Sequence, residues 1–284
     1  GNGMAGLRTI EEILERSQSQ FDITIIGKEP YPNYNRIMLS NILQKKMTVE
    51  DTIMNPYDWY QENNIELINN DPVEKVDKEN KIVTTSKGIE VEYDICIFAT
   101  GSKAFVLPIP GSNLPSVIGW RTIDDTNKMI EIAQTKKRAV VIGGGLLGLE
   151  CARGLLDQGM EVTVLHLADW LMEMQLDRKA GDMLKADLEK QGMKIELQAN
   201  SKEIIGDKDV EAIKLADGRV IETDLVVMAV GIRPYTEVAK DSGLDVNRGI
   251  VVNDYMQTSD SHIYAVGECA EHDGKVYGLV APLY

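Results

Sequence analysis

Residues 138–166 read RAVVIGGGLLGLECARGLLDQGMEVTVLH, and the fold follows from them. A short apolar run, 139–142, leads into Gly143-Gly144-Gly145-Leu146-Leu147-Gly148. A helical pattern then runs to Gln158, Gly159 breaks it, and an alternating run over 161–166 follows. Strand, glycine loop, helix and strand in that order form a βαβ dinucleotide-binding unit. The glycines let the backbone turn sharply and approach a pyrophosphate, which then rests on the partial positive charge of a helix N-terminus. Gly143, Gly145, Leu146, Leu147 and Gly148 are the expected loop residues.

The chain opens on a second copy. GNGMAGLRTIEEIL (1–14) places Gly1, Gly3, Met4, Ala5 and Gly6 in a G-x-G-x-x-G loop, followed by a helical pattern and a strand over 21–26. No strand stands before Gly1, so the expectation is that one precedes this stretch. A lone glycine loop is weak support, but the two copies share more than the loop. NKIVTTSKGIEVEYDICIFATGS in the first half matches EAIKLADGRVIETDLVVMAVGI in the second. Tyr93-Asp94 aligns with Thr223-Asp224, and Ala99-Thr100-Gly101 aligns with Ala229-Val230-Gly231. The sequence predicts an α/β fold of two related, Rossmann-like dinucleotide-binding domains.

Composition narrows the function classes. The 284 residues carry 30 basic and 45 acidic side chains, a formal charge of −15, so no basic stripe exists for a phosphate backbone and no nucleic-acid partner is expected. No run approaches the ~20 apolar residues of a membrane span, and no basic-then-apolar leader opens the chain. Cys96, Cys151 and Cys269 lie far apart with no metal-like or disulfide framework, which fits a reduced, cytoplasmic setting. His262 and His272 have no metal-like spacing either, and no metal site is expected.

The paired loops, together with ICIFATGS (95–102), AVGIRP (229–234) and TSDSHIYAVGECAEH (258–272), resemble the pyridine nucleotide-disulfide oxidoreductases. The resemblance covers essentially the whole chain. It implies a glutathione-reductase-like arrangement in which the first domain binds FAD and the second, inserted into it, binds NAD(P)H. The implied boundaries are 1–115 and 235–284 for FAD and 116–234 for NAD(P)H, the crossovers marked by LPIPGSNLPSV and GIRP. GNGMAGLRTIEEIL, PYPNYNRIMLS, MQLD and GECAEH are most similar to the FAD/NAD(P)H portion of nitrite reductase large subunits. That resemblance implies electron transfer from NAD(P)H through FAD to iron–sulfur and sirohaem centres in a part beyond Tyr284. Rubredoxin and ferredoxin reductases share most of the skeleton, so a stand-alone reductase serving a small electron carrier remains open. So does a flavoprotein interaction module, and so does a homodimer.

The class-naming disulfide is absent. YNRIMLSNILQKK has no cysteine, and Asn41 stands where flavin peroxidases of the class carry one, so no thiol can relay electrons there.

The resemblance assigns further site residues. Thr100, Gly101 and Gly231 lie in the two ATG/AVG segments, and Gly267-Glu268 stands where most of the family has Gly-Asp against the ribityl chain. Arg36 and Ser40 fall in the segment resembling the flavin-proximal loop, although Arg36 also reads as an exposed loop arginine. Glu29 follows the second strand of the first domain, where an acid accepts from an adenosine ribose; a solvated loop glutamate is the other reading. Glu150 occupies the GxGxxGxE position that faces the nicotinamide carboxamide, or else complements the helix dipole. His166 sits 18 residues after Gly148, where NADH-preferring members carry an acid for the ribose. No Arg or Lys follows before Arg178, which favours NADH, with Asp169 as a substitute acid.

Overall fold

The computed structural model describes residues 1–17 and 20–278. They form two compact units. The first comprises Gly1–Asn35, Ile53–Lys103 and the described part of Ile232–Tyr284; the second comprises Arg36–Thr52 and Ala104–Gly231.

In the first unit the helix Met4–Arg16 follows the opening loop directly. It sets Leu7 against Ile25, Tyr60 and Ile65. Ile23–Ile26 (ITII) is a β-branched run with Ile25 buried, suited to a strand, and it pairs in parallel with Ile65–Ile68, Ile23 opposite Ile65. Cys96–Phe98 pairs in parallel with Ile263–Ala265, so the late segment returns beside the middle of the chain. Val76, Val83, Phe98, Leu244, Ile250 and Ile263 form its second core.

The second unit holds a five-stranded parallel sheet. Its order is Val117–Gly119, Leu225–Met228, Arg138–Ile142, Glu161–Leu165, Lys194–Glu196. RAVVI and LVVM are buried along nearly their whole length, as central parallel strands require. The helix Leu146–Asp157 joins Arg138–Ile142 to its parallel neighbour and buries Leu149, Cys151, Ala152 and Leu155.

Each unit also carries an antiparallel meander, and the two agree in detail. Val73–Asp77, Ile82–Thr85 and Glu90–Glu92 make the first; Ser201–Ile205, Ala212–Leu215 and Val220–Glu222 make the second. Both have a register shift at the same place, between Val73 and Lys75 and between Ser201 and Glu203. Both close on a glycine at positive φ, Gly88 (+81°) and Gly218 (+92°). The internal repeat is therefore structural as well as sequential.

Residues 36–52 differ from the expected division, which kept them with the first domain. The helix Leu39–Leu43 packs on the helices Ile123–Thr135 and Leu146–Asp157 of the second unit. Gly154 makes this approach possible, because a Cβ there would lie 2.5 Å from Leu43 Cγ. Gln158 Nε2 donates to Leu43 O at 2.7 Å and ties the helix down. Among the described residues no helix is long and apolar enough to cross a membrane.

Candidate dinucleotide sites

The two glycine loops have one geometry. A Cβ on Gly1 would lie 2.0 Å from Ala99 O, and one on Gly143 would lie 2.3 Å from Ala229 O. A Cβ on Gly6 would lie 2.4 Å from Gly1 O, and one on Gly148 would lie 2.0 Å from Gly143 O. These positions require glycine because backbone packs on backbone. The middle glycines differ: among the described residues nothing lies within 4 Å of a Cβ on Gly3 or Gly145. Each is the N-cap of its helix in extended conformation, φ −88° and ψ 179° for Gly3, φ −86° and ψ −177° for Gly145. Among the described residues no side chain caps either helix. Each loop thus leaves its helix N-terminus with an open approach, as a pyrophosphate site needs. Met4 and Ala5 open the first helix, while Leu146 and Leu147 open the second with both side chains exposed.

In the first unit, segments distant in sequence converge on the loop. Gly267 adopts φ +75° and its Cβ position lies 2.7 Å from Ala5 Cβ. Glu268 accepts a hydrogen bond from the Ser102 hydroxyl. Thr100 Oγ1 donates to Tyr235 O at 2.8 Å, and Tyr235 N–H donates back to Gly101 O at 2.9 Å. Gly101 takes φ +64°, its counterpart Gly231 in the second unit φ +110°. Glu29, half-buried after Ile23–Ile26, accepts from the Tyr34 hydroxyl at 2.7 Å, so its carboxylate is oriented rather than freely solvated. Sequence reading named neither Ser102 nor Tyr34; the hydroxyl in ATGS was the available signal for Ser102.

In the second unit, Arg36 Nη1 donates to Arg121 O at 3.0 Å and is half-buried, unlike an exposed loop arginine. Ser40 is buried and its hydroxyl donates to Ile37 O, within its own turn. Glu150 is half-buried, and burial raises its pKa above the usual carboxylate value.

His166 departs from the expectation. Its side chain is only 8% exposed and both ring nitrogens are engaged by protein: Gly144 N–H donates to Nδ1 at 3.0 Å, and Nε2 lies 2.9 Å from Glu173 Oε2. No ring nitrogen is left for a ribose hydroxyl. The substitute acid, Asp169, is exposed and accepts from Gln198 Nε2 at 2.7 Å. Glu173, unnamed from sequence, is the acid that meets the strand end.

The three cysteines are free and separate. Burial pushes the Cys96 thiol up to about 11 and the Cys151 thiol further, so both are protonated near neutrality. Cys269 is buried with its thiol directed at Val266 O.

The profile of the pyridine nucleotide-disulphide oxidoreductases matches residues 1–281. The chain belongs to this family. Among the pyridine nucleotide-disulphide oxidoreductases and their kin, a nitrite reductase [NAD(P)H] of Bacillus subtilis (strain 168) is 58% identical over all of this chain and 35% of its own length. The NADH-rubredoxin oxidoreductase of Clostridium acetobutylicum is 34% identical over 99% of this chain and 69% of its own length. The crystal structure of a ferredoxin reductase from Rhodopseudomonas palustris superposes with a TM-score of 0.89 at 31% identity, over 96% of this chain and 68% of that one. The chain spans about a third of the length of the first curated relatives it matches.

Proposed function

We propose that the chain is the electron-input part of a nitrite reductase large subunit, its first unit holding FAD and its second NAD(P)H, with NADH favoured. The observation that carries the reading is the repeated loop, in which Gly3 and Gly145 both leave the approach to a helix N-terminus open. The 58% identity to a nitrite reductase across the full chain directs it to that enzyme class.

When bound, the flavin supplies a two-electron acceptor for the nicotinamide hydride and a donor of electrons outward. The chain's own residues bind and orient. Backbone N–H groups at the start of Met4–Arg16 and Leu146–Asp157 would hold the pyrophosphates, with the helix dipole favouring their charge. Glu29, which accepts from the Tyr34 hydroxyl, would accept from the FAD adenosine ribose, and Glu268, which accepts from the Ser102 hydroxyl, from the ribityl chain. Glu150 would accept from the carboxamide of the nicotinamide. Cys96 and Cys151 stay protonated and take no part. In this proposal nitrite would be reduced to ammonia at iron–sulfur and sirohaem centres held by other residues of a cytoplasmic enzyme, to which the flavin would pass its electrons.

A second reading has its own support: the chain covers 69% of an NADH-rubredoxin oxidoreductase at 34% identity, so a reductase serving a small electron-carrier protein is the alternative. One experiment addresses both. Under anaerobic conditions NADH should bleach the flavin absorbance of the flavin-loaded protein, which should then reduce ferricyanide but not nitrite. Absence of bleaching overturns the oxidoreductase reading. Rubredoxin reduction at the ferricyanide rate selects the second reading. Sedimentation of the same sample tests the homodimer that belongs to this proposal.

A further inference from the structure

The strand Glu161–Leu165 ends where a dinucleotide fold carries the acid for the adenosine ribose hydroxyls, and this chain has His166 there. The imidazole is turned inward. Its Nδ1 accepts from Gly144 N–H, so that nitrogen keeps its lone pair and the ring proton resides on Nε2. Nε2 therefore donates, and its acceptor is Glu173 Oε2 at 2.9 Å.

The segment that carries Glu173 is fastened to the same glycine. Met172 N–H donates to Gly144 O at 3.0 Å. Met172 sits at φ +58°, a left-handed turn that an unbranched side chain tolerates only with outside support. Leu171 is fully buried beside Gly144, where a Cβ would stand 2.6 Å from Leu171 Cδ2 and 2.8 Å from His166 Cγ. One glycine of the phosphate loop thus fixes the histidine, the turn and the carboxylate together. The Glu173 side chain is 34% exposed, and its second oxygen, Oε1, has no hydrogen bond among the described residues.

We propose that Glu173 is the carboxylate that recognises the adenosine ribose of the nicotinamide nucleotide and sets the preference for NADH over NADPH, with His166 as its positioning residue. The proposal rests on the reading that the second unit binds NAD(P)H. A ribose hydroxyl donates to the carboxylate, whereas a 2′-phosphate would meet like charge there. Residues 167–177 contain no Arg or Lys to offset that repulsion.

The test uses the flavin-loaded protein with NADH and NADPH, ferricyanide as acceptor, and calorimetric binding of ADP-ribose and 2′-phospho-ADP-ribose. Glu173→Gln should lower the NADH-to-NADPH ratio of kcat/KM by roughly 10- to 100-fold, as expected for a lost charged hydrogen bond. It should weaken ADP-ribose and strengthen the 2′-phosphorylated probe. His166→Asn keeps an acceptor for Gly144 N–H but releases Glu173. Its loss should therefore appear in the KM for NADH rather than in kcat, and Glu173→Gln should add nothing to it in the double variant. An unchanged ratio and unchanged ADP-ribose affinity in Glu173→Gln overturn the proposal while leaving NADH oxidation standing; additive effects overturn the role of His166. If neither nucleotide reduces the flavin of the unaltered protein, the function reading fails and this proposal with it.

Discussion

A Cβ on Gly148 would stand 2.0 Å from the carbonyl oxygen of Gly143, and Gly6 bears the same relation to Gly1 at 2.4 Å. Helix and loop meet backbone to backbone in both units, with no room for a methyl group. Gly148→Ala should displace its helix N-terminus and cut kcat/KM for NADH by about 100-fold or more, while FAD stays bound. Gly6→Ala should release FAD and leave nucleotide binding to the second unit intact. FAD release on desalting and ADP-ribose calorimetry separate the two outcomes; parallel loss of both ligands in either variant would contradict one nucleotide per unit.

The flavin should be FAD rather than FMN, because the first loop and Glu29 address a pyrophosphate and an adenosine ribose. Glu29→Ala removes the acceptor of the Tyr34 hydroxyl and should raise the FAD dissociation constant by about tenfold. Chromatography of the cofactor released on denaturation, and a fluorescence titration, check both statements. Release of FMN alone would contradict the adenosine half of the site.

Glu150 gives a pH-dependent stability of defined sign. Burial raises its pKa in the folded state, so between the unfolded value near 4.5 and the raised one the native state binds more protons. Stability therefore falls as pH rises through that window. Glu150→Gln should raise Tm at pH 7, show no gain below pH 4.5, and weaken NADH binding. Melting curves across that pH range read the first two effects.

Asp224 behaves in the opposite sense. Arg138 is the largest cause of its lowered pKa, with Nη2 at 3.1 Å, and Arg138 N–H adds a bond at 2.9 Å. A depressed folded pKa means the contribution is present above the unfolded value of 3.8 and is lost as pH falls below it. Asp224→Asn should cost about 1 kcal/mol at neutral pH and nothing in strong acid, measured by urea unfolding.

The two-unit α/β plan follows from local order along the chain. Residues 138–166 switch from apolar run to glycine loop to helical period to strand, and that local order has one sensible structure. The repeat was equally legible, because Tyr93-Asp94 aligns with Thr223-Asp224 and Ala99-Thr100-Gly101 with Ala229-Val230-Gly231. Three things were decided only in three dimensions. The helix Leu39–Leu43 joins the second unit because Gly154 admits Leu43, a fit between residues over a hundred positions apart. Glu268 meets Ser102 because Cys96–Phe98 and Ile263–Ala265 pair in parallel, a non-local choice invisible to any window along the chain. His166 turned inward for the same reason. Its partners are a backbone N–H in the loop and a glutamate beyond a left-handed turn at Met172. Periodicity carries no signal for such a turn, since an unbranched residue adopts it only where packing already holds the chain.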